Sequence, residues 1–246
     1  MRFPLTLIPV SSPGLAPRGP EAPAMRLSPE RPFARLLKVL VERMLWASLR
    51  RSLRGVYLRG EVPPGPLVLA MNHHSYFDGH LVWLLGQLHH HPLSLLVAEE
   101  NLKAFPVLAL AGALEAGRVR EALRRLKRGE SVAVFPEGEM RYLGPLGSLR
   151  PGAAWLSAQA GVPLLPVACR VVLRGFEHPE AFLWVGEPLP PDRDPARVLG
   201  ELLTQLDALL ARTHPRQVPE GFRELFRGQR SLDERVRPLV EALKWL

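Results

Sequence analysis

One short stretch, Met71-Asn72-His73-His74-Ser75-Tyr76-Phe77-Asp78-Gly79-His80, holds the residue types that can move a proton. It follows the apolar run Pro66 to Ala70, which reads as a buried strand. It precedes Leu81 to Leu85, which reads as the start of a helix. Titratable residues at a strand-to-helix turn sit where α/β proteins do chemistry. An imidazole is the side chain best poised to accept a proton near neutral pH. A carboxylate a few residues on can keep one ring nitrogen protonated and leave the other free as a base. The stretch therefore reads as a general base, His73, with Asp78 as its orienting partner. The competing readings are a solvated polar turn and a Ser75 nucleophile. The metal-site reading is weak, because His73, His74, Asp78 and His80 give neither helical i, i+4 pairs nor strand alternation cleanly enough to converge on one ion.

The elements that must position this stretch alternate between two periods. Residues 1–24 hold six prolines and read as a mobile extension, with Met25 a candidate translation start. Ser28-Pro29-Glu30 carries a cap, a first-turn proline and an acid, and opens a helix reaching Leu53. On it Phe33, Leu36, Leu37, Leu40, Met44 and Ala47 can share one face. Arg31, Arg35, Lys38, Arg43, Arg50, Arg51 and Arg54 make residues 25–54 a basic amphipathic segment with one Trp, suited to a lipid interface or to covering the domain's own core. Strands are expected at Val56–Val62, Leu93–Val97, Ser131–Phe135, within Leu164–Val172 and at Phe182–Val185. Helices are expected at Asp78–Gln87, Asn101–Ala111, Arg118–Arg128, Pro151–Gln159 and Pro195–Arg212, with a helix-rich tail from Pro219. Two prolines in Val162-Pro163-Leu164-Leu165-Pro166-Val167 place that strand's start at an edge or a bulge. The alternation predicts an α/β class: a single domain over 55–246, with a central mixed, mostly parallel sheet flanked by helices. The Ser131 strand runs into Phe135-Pro136-Glu137-Gly138, and in a parallel sheet this turn can face the same crevice as the His73 turn.

Bulk properties bound the partners. A net charge of +8 over 246 residues favours anionic partners such as phosphate-bearing substrates or anionic lipid. Nucleic-acid binding lacks any aromatic-basic motif or zinc spacing. The lone Cys169 cannot make an intrachain disulfide and reads as a buried, inert thiol. No run approaches the roughly 20 apolar residues that span a bilayer.

Four blocks stand in order: Asn72-His73 with Asp78; Gly112 through Arg118; Phe135-Pro136-Glu137-Gly138; and the two-proline run 162–167. Together they resemble the glycerolipid acyltransferases, whose best-known members are the 1-acylglycerol-3-phosphate acyltransferases. The family's first motif is a His, four residues, then an Asp, which His73 and Asp78 fit and His74 does not. Its Gly and Arg six residues apart fit Gly112 and Arg118. The chain departs after the third motif, where Glu139 and Met140 stand before Arg141 in place of small polar residues. The resemblance implies transfer of a fatty acyl group, with no cofactor, from acyl-CoA or acyl carrier protein to a lysophospholipid hydroxyl. In that scheme His73 and Asp78 are catalytic. Asn72, Ser75, Arg118, Glu137, Gly138 and Arg141 bind substrate, with Arg118 on the acceptor phosphate and Glu137 on a glycerol hydroxyl or an arginine. It also implies a peripheral or monotopic place at the cytoplasmic face of the cell membrane, without a transmembrane helix. An acceptor lacking phosphate, and a catalytically silent lipid-binding protein, are the alternatives.

Overall fold

Val68, Leu69, Ala70 and Met71 are all at most 1% exposed. A strand buried on both faces needs helices on both sides, and the fold supplies them. The structure, a computed structural model, describes residues 32–88 and 92–243. Eight strands form one sheet: β1 (Gly55–Arg59), β2 (Val68–Met71), β3 (Leu93–Val97), β4 (Ala113–Glu115), β5 (Ser131–Val134), β6 (Leu164–Val172), β7 (Glu180–Val185) and β8 (Arg223–Arg227). Their order is β4-β3-β5-β2-β6-β7-β1-β8. Only the β6–β7 and β1–β8 pairs are antiparallel. The expected α/β class with a mostly parallel sheet is therefore what the chain adopts.

The helices are α1 (Pro32–Ser52), α2 (Asp78–Leu88), α3 (Glu99–Ala104), α4 (Val119–Lys127), α5 (Gly152–Ala160), α6 (Ala196–Arg212) and α7 (Leu232–Leu243). The strand period of two divides their work. Leu69 and Met71 pack with Leu49 of α1 and Leu81, Leu84 and Leu85 of α2. Val68 and Ala70 point the other way, onto Ala122 and Leu126 of α4 and Ala153 and Leu156 of α5. Farther along that face Leu199, Leu203 and Leu206 of α6 cover Tyr57, Ala168 and Phe182.

Several expectations are corrected. The tail from Pro219 is not wholly helical: Arg223–Arg227 pairs antiparallel with β1 as an edge strand. Arg, Glu and Leu favour helix locally, but the open edge of β1 supplies ladder partners, and the charged residues suit an edge. The two-proline strand is central, between β2 and β7, rather than at an edge. The bulge alternative fits: Leu164 faces Leu189 and Val167 faces Val185, so the partner fits four residues against three where Pro166 lacks its donor. The helix expected at Asn101–Ala111 breaks at Phe105 (φ −132°, ψ 69°), and Pro106–Ala111 is a 3-10 turn. Proline disfavours the helical conformation in the residue before it. On α1 the face containing Phe33, Leu36, Leu40 and Met44 is exposed, while Ala34, Val41 and Leu49 turn inward. Ser28-Pro29-Glu30, residues 1–24 and His89–His91 lie outside the described residues. No helix among the described residues is long and apolar enough to cross a membrane.

Candidate active site

β2 and β5 are neighbours and parallel, with Val68 facing Val132 and Ala70 facing Val134. The turns that leave their carboxyl ends therefore meet, and the His73 and Phe135-Pro136-Glu137-Gly138 segments share one edge of the sheet. His73 Nδ1 lies 2.8 Å from Asp78 Oδ2. The same oxygen accepts the backbone N–H groups of His74 at 2.7 Å and Ser75 at 2.8 Å. Asp78 is fully buried at the first turn of α2, where the helix dipole favours a negative charge. Three donors converging on one oxygen fix the carboxylate, and with Nδ1–H as one of them the His73 Nε2 lone pair is left free. The His73 side chain keeps 20% exposure.

The second turn holds the first. Glu137 Oε2 accepts the His73 backbone N–H at 2.8 Å, and Oε1 accepts that of Gly147 at 2.9 Å. The Arg141 N–H donates to the His73 carbonyl at 2.8 Å. The Phe135 ring stacks on the His73 imidazole, with centroids 4.2 Å apart and planes 13° off parallel. Gly138 sits at φ +76°, and a Cβ there would fall on the Arg150 guanidinium, so only glycine suits this turn.

Asn72 extends the β2–β6 ladder with its side chain. Its Nδ2 donates to the Cys169 carbonyl at 3.1 Å and its Oδ1 accepts the Cys169 N–H at 2.7 Å. His74 lies beneath, its Nε2 accepting the Val171 N–H at 3.0 Å. Burial lowers its pKa, against the pull of Asp78, so His74 is a neutral structural ring. Ligand atoms of His74, Asp78 and Cys169 lie within 4.8 Å of one another. Burial pushes the Cys169 thiol well up, with Asp78 beside it, which keeps it protonated and a poor ligand.

The structure brings His73, Asp78, Asn72, Ser75, Glu137, Gly138 and the Arg141 backbone together. Ser75 is committed locally, its Oγ accepting the Phe77 N–H at 3.2 Å. The Arg141 guanidinium is exposed and paired with Glu139 at 2.8 Å. Arg118 stands exposed at the start of α4, beyond the carboxyl end of β4 on the same edge. That is three strands from β2, roughly 14 Å by strand spacing. Gly112, at φ +98°, passes so close to the Leu93 carbonyl that a side chain would collide, so its place is a backbone requirement.

Two contributors were missed by reading the sequence. One is Phe135 as the stacking partner, its ring placed by the β5 exit. The other is Arg170, 2% exposed, which grips Asp207 through paired bonds of 2.6 and 2.7 Å and also bonds the Gly144 carbonyl of the loop after Gly138. A lone arginine inside the apolar run Leu164–Val172 was the available signal. An apolar cavity of about 180 Å³, lined by Leu67, Leu69, Leu85 and Leu93, lies toward the opposite edge of the sheet and is not part of this site.

Residues 55–170 match the Acyltransferase family model, spanning all four motifs. This stretch, a little under half of the chain, is similar to that family. A chloroplastic 1-acyl-sn-glycerol-3-phosphate acyltransferase of Brassica napus is 26% identical over 115 residues, 42% of this chain and 32% of that protein. The N-acylphosphatidylethanolamine synthase of Arabidopsis thaliana is 31% identical over 150 residues, 52% of each chain. A probable 1-acyl-sn-glycerol-3-phosphate acyltransferase of Mycoplasma genitalium is 27% identical over 120 residues, 44% of this chain and 45% of that one. The match thus spans about a third to a half of these relatives' length. The crystal structure of the 1-acyl-sn-glycerophosphate acyltransferase PlsC of Thermotoga maritima shares the fold, with a TM-score of 0.50 and 23% identity over 71% of this chain and 80% of that one.

Proposed function

We propose that the protein transfers a fatty acyl group from a coenzyme A or acyl carrier protein thioester to the free hydroxyl of 1-acylglycerol-3-phosphate, giving phosphatidic acid for phospholipid synthesis. The observation that carries this reading is the 2.8 Å contact between His73 Nδ1 and Asp78, with the opposite ring nitrogen open. An alcohol becomes a competent nucleophile as a base takes its proton. His73 Nε2 takes that proton while the hydroxyl oxygen bonds to the thioester carbonyl carbon. Asp78 stabilises the imidazolium that forms. Collapse of the tetrahedral intermediate breaks the C–S bond, and the proton passes from His73 to the departing thiolate. Glu137 acts on this scheme through the His73 backbone, whose N–H it accepts, and each of its oxygens keeps a lone pair that a glycerol hydroxyl can use. Arg118 is the candidate for the acceptor phosphate, by paired hydrogen bonds.

The reaction belongs at a membrane surface, because both substrates carry alkyl chains. Phe33, Leu36, Leu40 and Met44 leave a stripe of α1 between 47% and 68% exposed, bordered by exposed Arg35, Lys38 and Arg43. Tyr76, Met140, Tyr142, Leu143 and Leu173 are exposed on the loops around the His73 edge. Both features support a peripheral protein at a membrane surface.

A second reading changes the acceptor. Glu139 and Met140 stand where the family usually carries small polar residues, which favours an acceptor without phosphate, such as a glycosylated or amino-acid lipid. Labelled palmitoyl-CoA offered with a panel of lyso-lipids tests both. Turnover on lysophosphatidic acid at least tenfold above every other acceptor is expected, and preference for an acceptor without phosphate would replace the first reading with the second.

A further inference from the structure

β1 and β7 run opposite to β2, so their amino ends lie at the edge that carries His73. The carboxyl end of β8 lies there too. Around it Arg54, Phe176, Arg216, Arg227, Arg230 and Arg237 line an open cavity of about 630 Å³. This volume is in the usual range for a small-molecule site. Five guanidiniums and two carboxylates, Asp233 and Glu234, form its lining. The carboxylates fix the arginines rather than quench them. Glu234 and Glu180 hold Arg54 at 2.8 and 3.1 Å, and Asp233 holds Arg216 at 2.6 Å. Arg227 pairs with Glu224 and Arg237 with Glu241, neither glutamate being in the lining. Arg230 has no hydrogen-bond or ion-pair partner among the described residues. The Arg54 guanidinium lies 3.4 Å over the Phe176 ring, and that of Arg216 lies 5.3 Å from the ring centroid.

Clustered, oriented guanidiniums bind phosphate oxygens in pairs, and their flat faces stack on aromatic rings. A ligand bearing several phosphates and a planar base fits this chemistry. The cavity's position adds the reach. From β2 to β1 is three strand spacings, roughly 14 Å. The arm that joins a coenzyme A thiol to its phosphates is as long as four or five extended residues, roughly 16 Å at the chain's own rise. We propose that this cavity receives the phosphorylated nucleotide end of a coenzyme A thioester, whose arm lies along the sheet edge and delivers the thioester to His73. The inference rests on the acyl-transfer reading above and selects coenzyme A as its donor, since an acyl carrier protein presents a convex acidic surface and no nucleotide to fill a concavity.

The test uses the full chain, as wild type and as the Arg230→Ala, Arg237→Ala double variant, with Arg230→Glu as a second variant. Arg230 and Arg237 are exposed, so folding is checked by an unchanged melting temperature. Calorimetry measures binding of free coenzyme A and of adenosine 3′,5′-bisphosphate. Kinetics measure kcat/KM for palmitoyl-CoA relative to palmitoyl-pantetheine, which lacks the nucleotide. Both variants are expected to weaken nucleotide binding at least tenfold and to lower the palmitoyl-CoA to palmitoyl-pantetheine ratio by a similar factor. An unchanged Kd and ratio overturn the proposal. So does loss of binding to phosphatidylglycerol vesicles with an unchanged coenzyme A Kd, which makes the cavity a lipid-headgroup site. Turnover with acyl carrier protein alone, without coenzyme A binding, overturns the cavity assignment and leaves acyl transfer standing. Arginine-dependent coenzyme A binding without acyl transfer to any lipid does the reverse.

Discussion

Glu137 accepts the backbone N–H of His73 at 2.8 Å, across 64 residues of sequence. With its other oxygen on Gly147, this carboxylate ties the β5 exit turn to the β2 exit turn and sets where the imidazole stands. The contact turns a sequence motif into a positioning device, and it separates two roles that kinetics can tell apart.

Glu137→Gln leaves one carbonyl oxygen where two N–H donors need acceptors. A buried donor without a partner costs about 1–3 kcal/mol. The denaturant midpoint should fall accordingly. A displaced base should lower kcat by about 10- to 100-fold, with KM for the acceptor changed less than threefold. A rise in acceptor KM at unchanged kcat would instead make Glu137 a substrate ligand.

Asp78→Asn keeps the shape and removes the charge that holds Nδ1 protonated. The loss of kcat should approach about 10⁴-fold, as expected when the orienting carboxylate of a base is neutralised. Steady-state kinetics at saturating donor checks it. A loss below tenfold would mean that His73 finds its tautomer without Asp78.

Much of this arrangement could be read from the chain. The helix expected from Asp78 begins there, and the strand expected at Ser131 does too, because a buried apolar run bounded by turn residues leaves little freedom. The convergence of His73 with Phe135-Pro136-Glu137-Gly138 followed from two strands ending at one edge. What stayed hidden depended on partners distant in sequence. Three residues, Ala113–Glu115, are too few to show a period, and they form a strand only because β3 lies beside them. Arg223–Arg227 has helix-forming residues and becomes a strand through β1. Asn72 reads as a ligand of substrate, yet both ends of its amide are taken by Cys169, a contact that no spacing announces. The inward stripe of α1 is shifted one residue from the expected face, because several apolar stripes compete on that helix.

Acid should weaken the fold through His74 and His80. Burial lowers both pKa values from the ordinary 6.5. Each ring is neutral when folded and takes a proton on unfolding once pH drops below about 6.5, so the unfolded state binds more protons there. The stabilisation is complete above that pH and lost as pH falls toward the depressed folded values. The slope from each ring is at most about 1.4 kcal/mol per pH unit. Denaturant midpoints at pH 7.5, 6.5 and 5.5 measure it. His74→Gln, which can keep an acceptor for the Val171 N–H, should flatten the dependence, and an unaltered slope would count against a neutral His74.

The exposed stripe of α1 should matter to lipid and not to folding. Serine at Leu36, Leu40 and Met44 together should shift stability by only about 0.5 kcal/mol per site. Binding to anionic vesicles should fall by at least about tenfold, since each apolar side chain withdrawn from lipid forfeits about 1.5–3 kcal/mol. Cosedimentation with phosphatidylglycerol vesicles reads this directly. Wild-type sedimentation by the variant would assign the interface elsewhere.

The central claim is that one imidazole takes the proton of the acceptor hydroxyl. The most direct measurement is acyl transfer from palmitoyl-CoA to lysophosphatidic acid by wild type and by His73→Ala, with matching circular dichroism for the two. The expected result is turnover by the wild type and a loss of at least about 10³-fold in the variant. Turnover by His73→Ala within tenfold of the wild type would contradict the account.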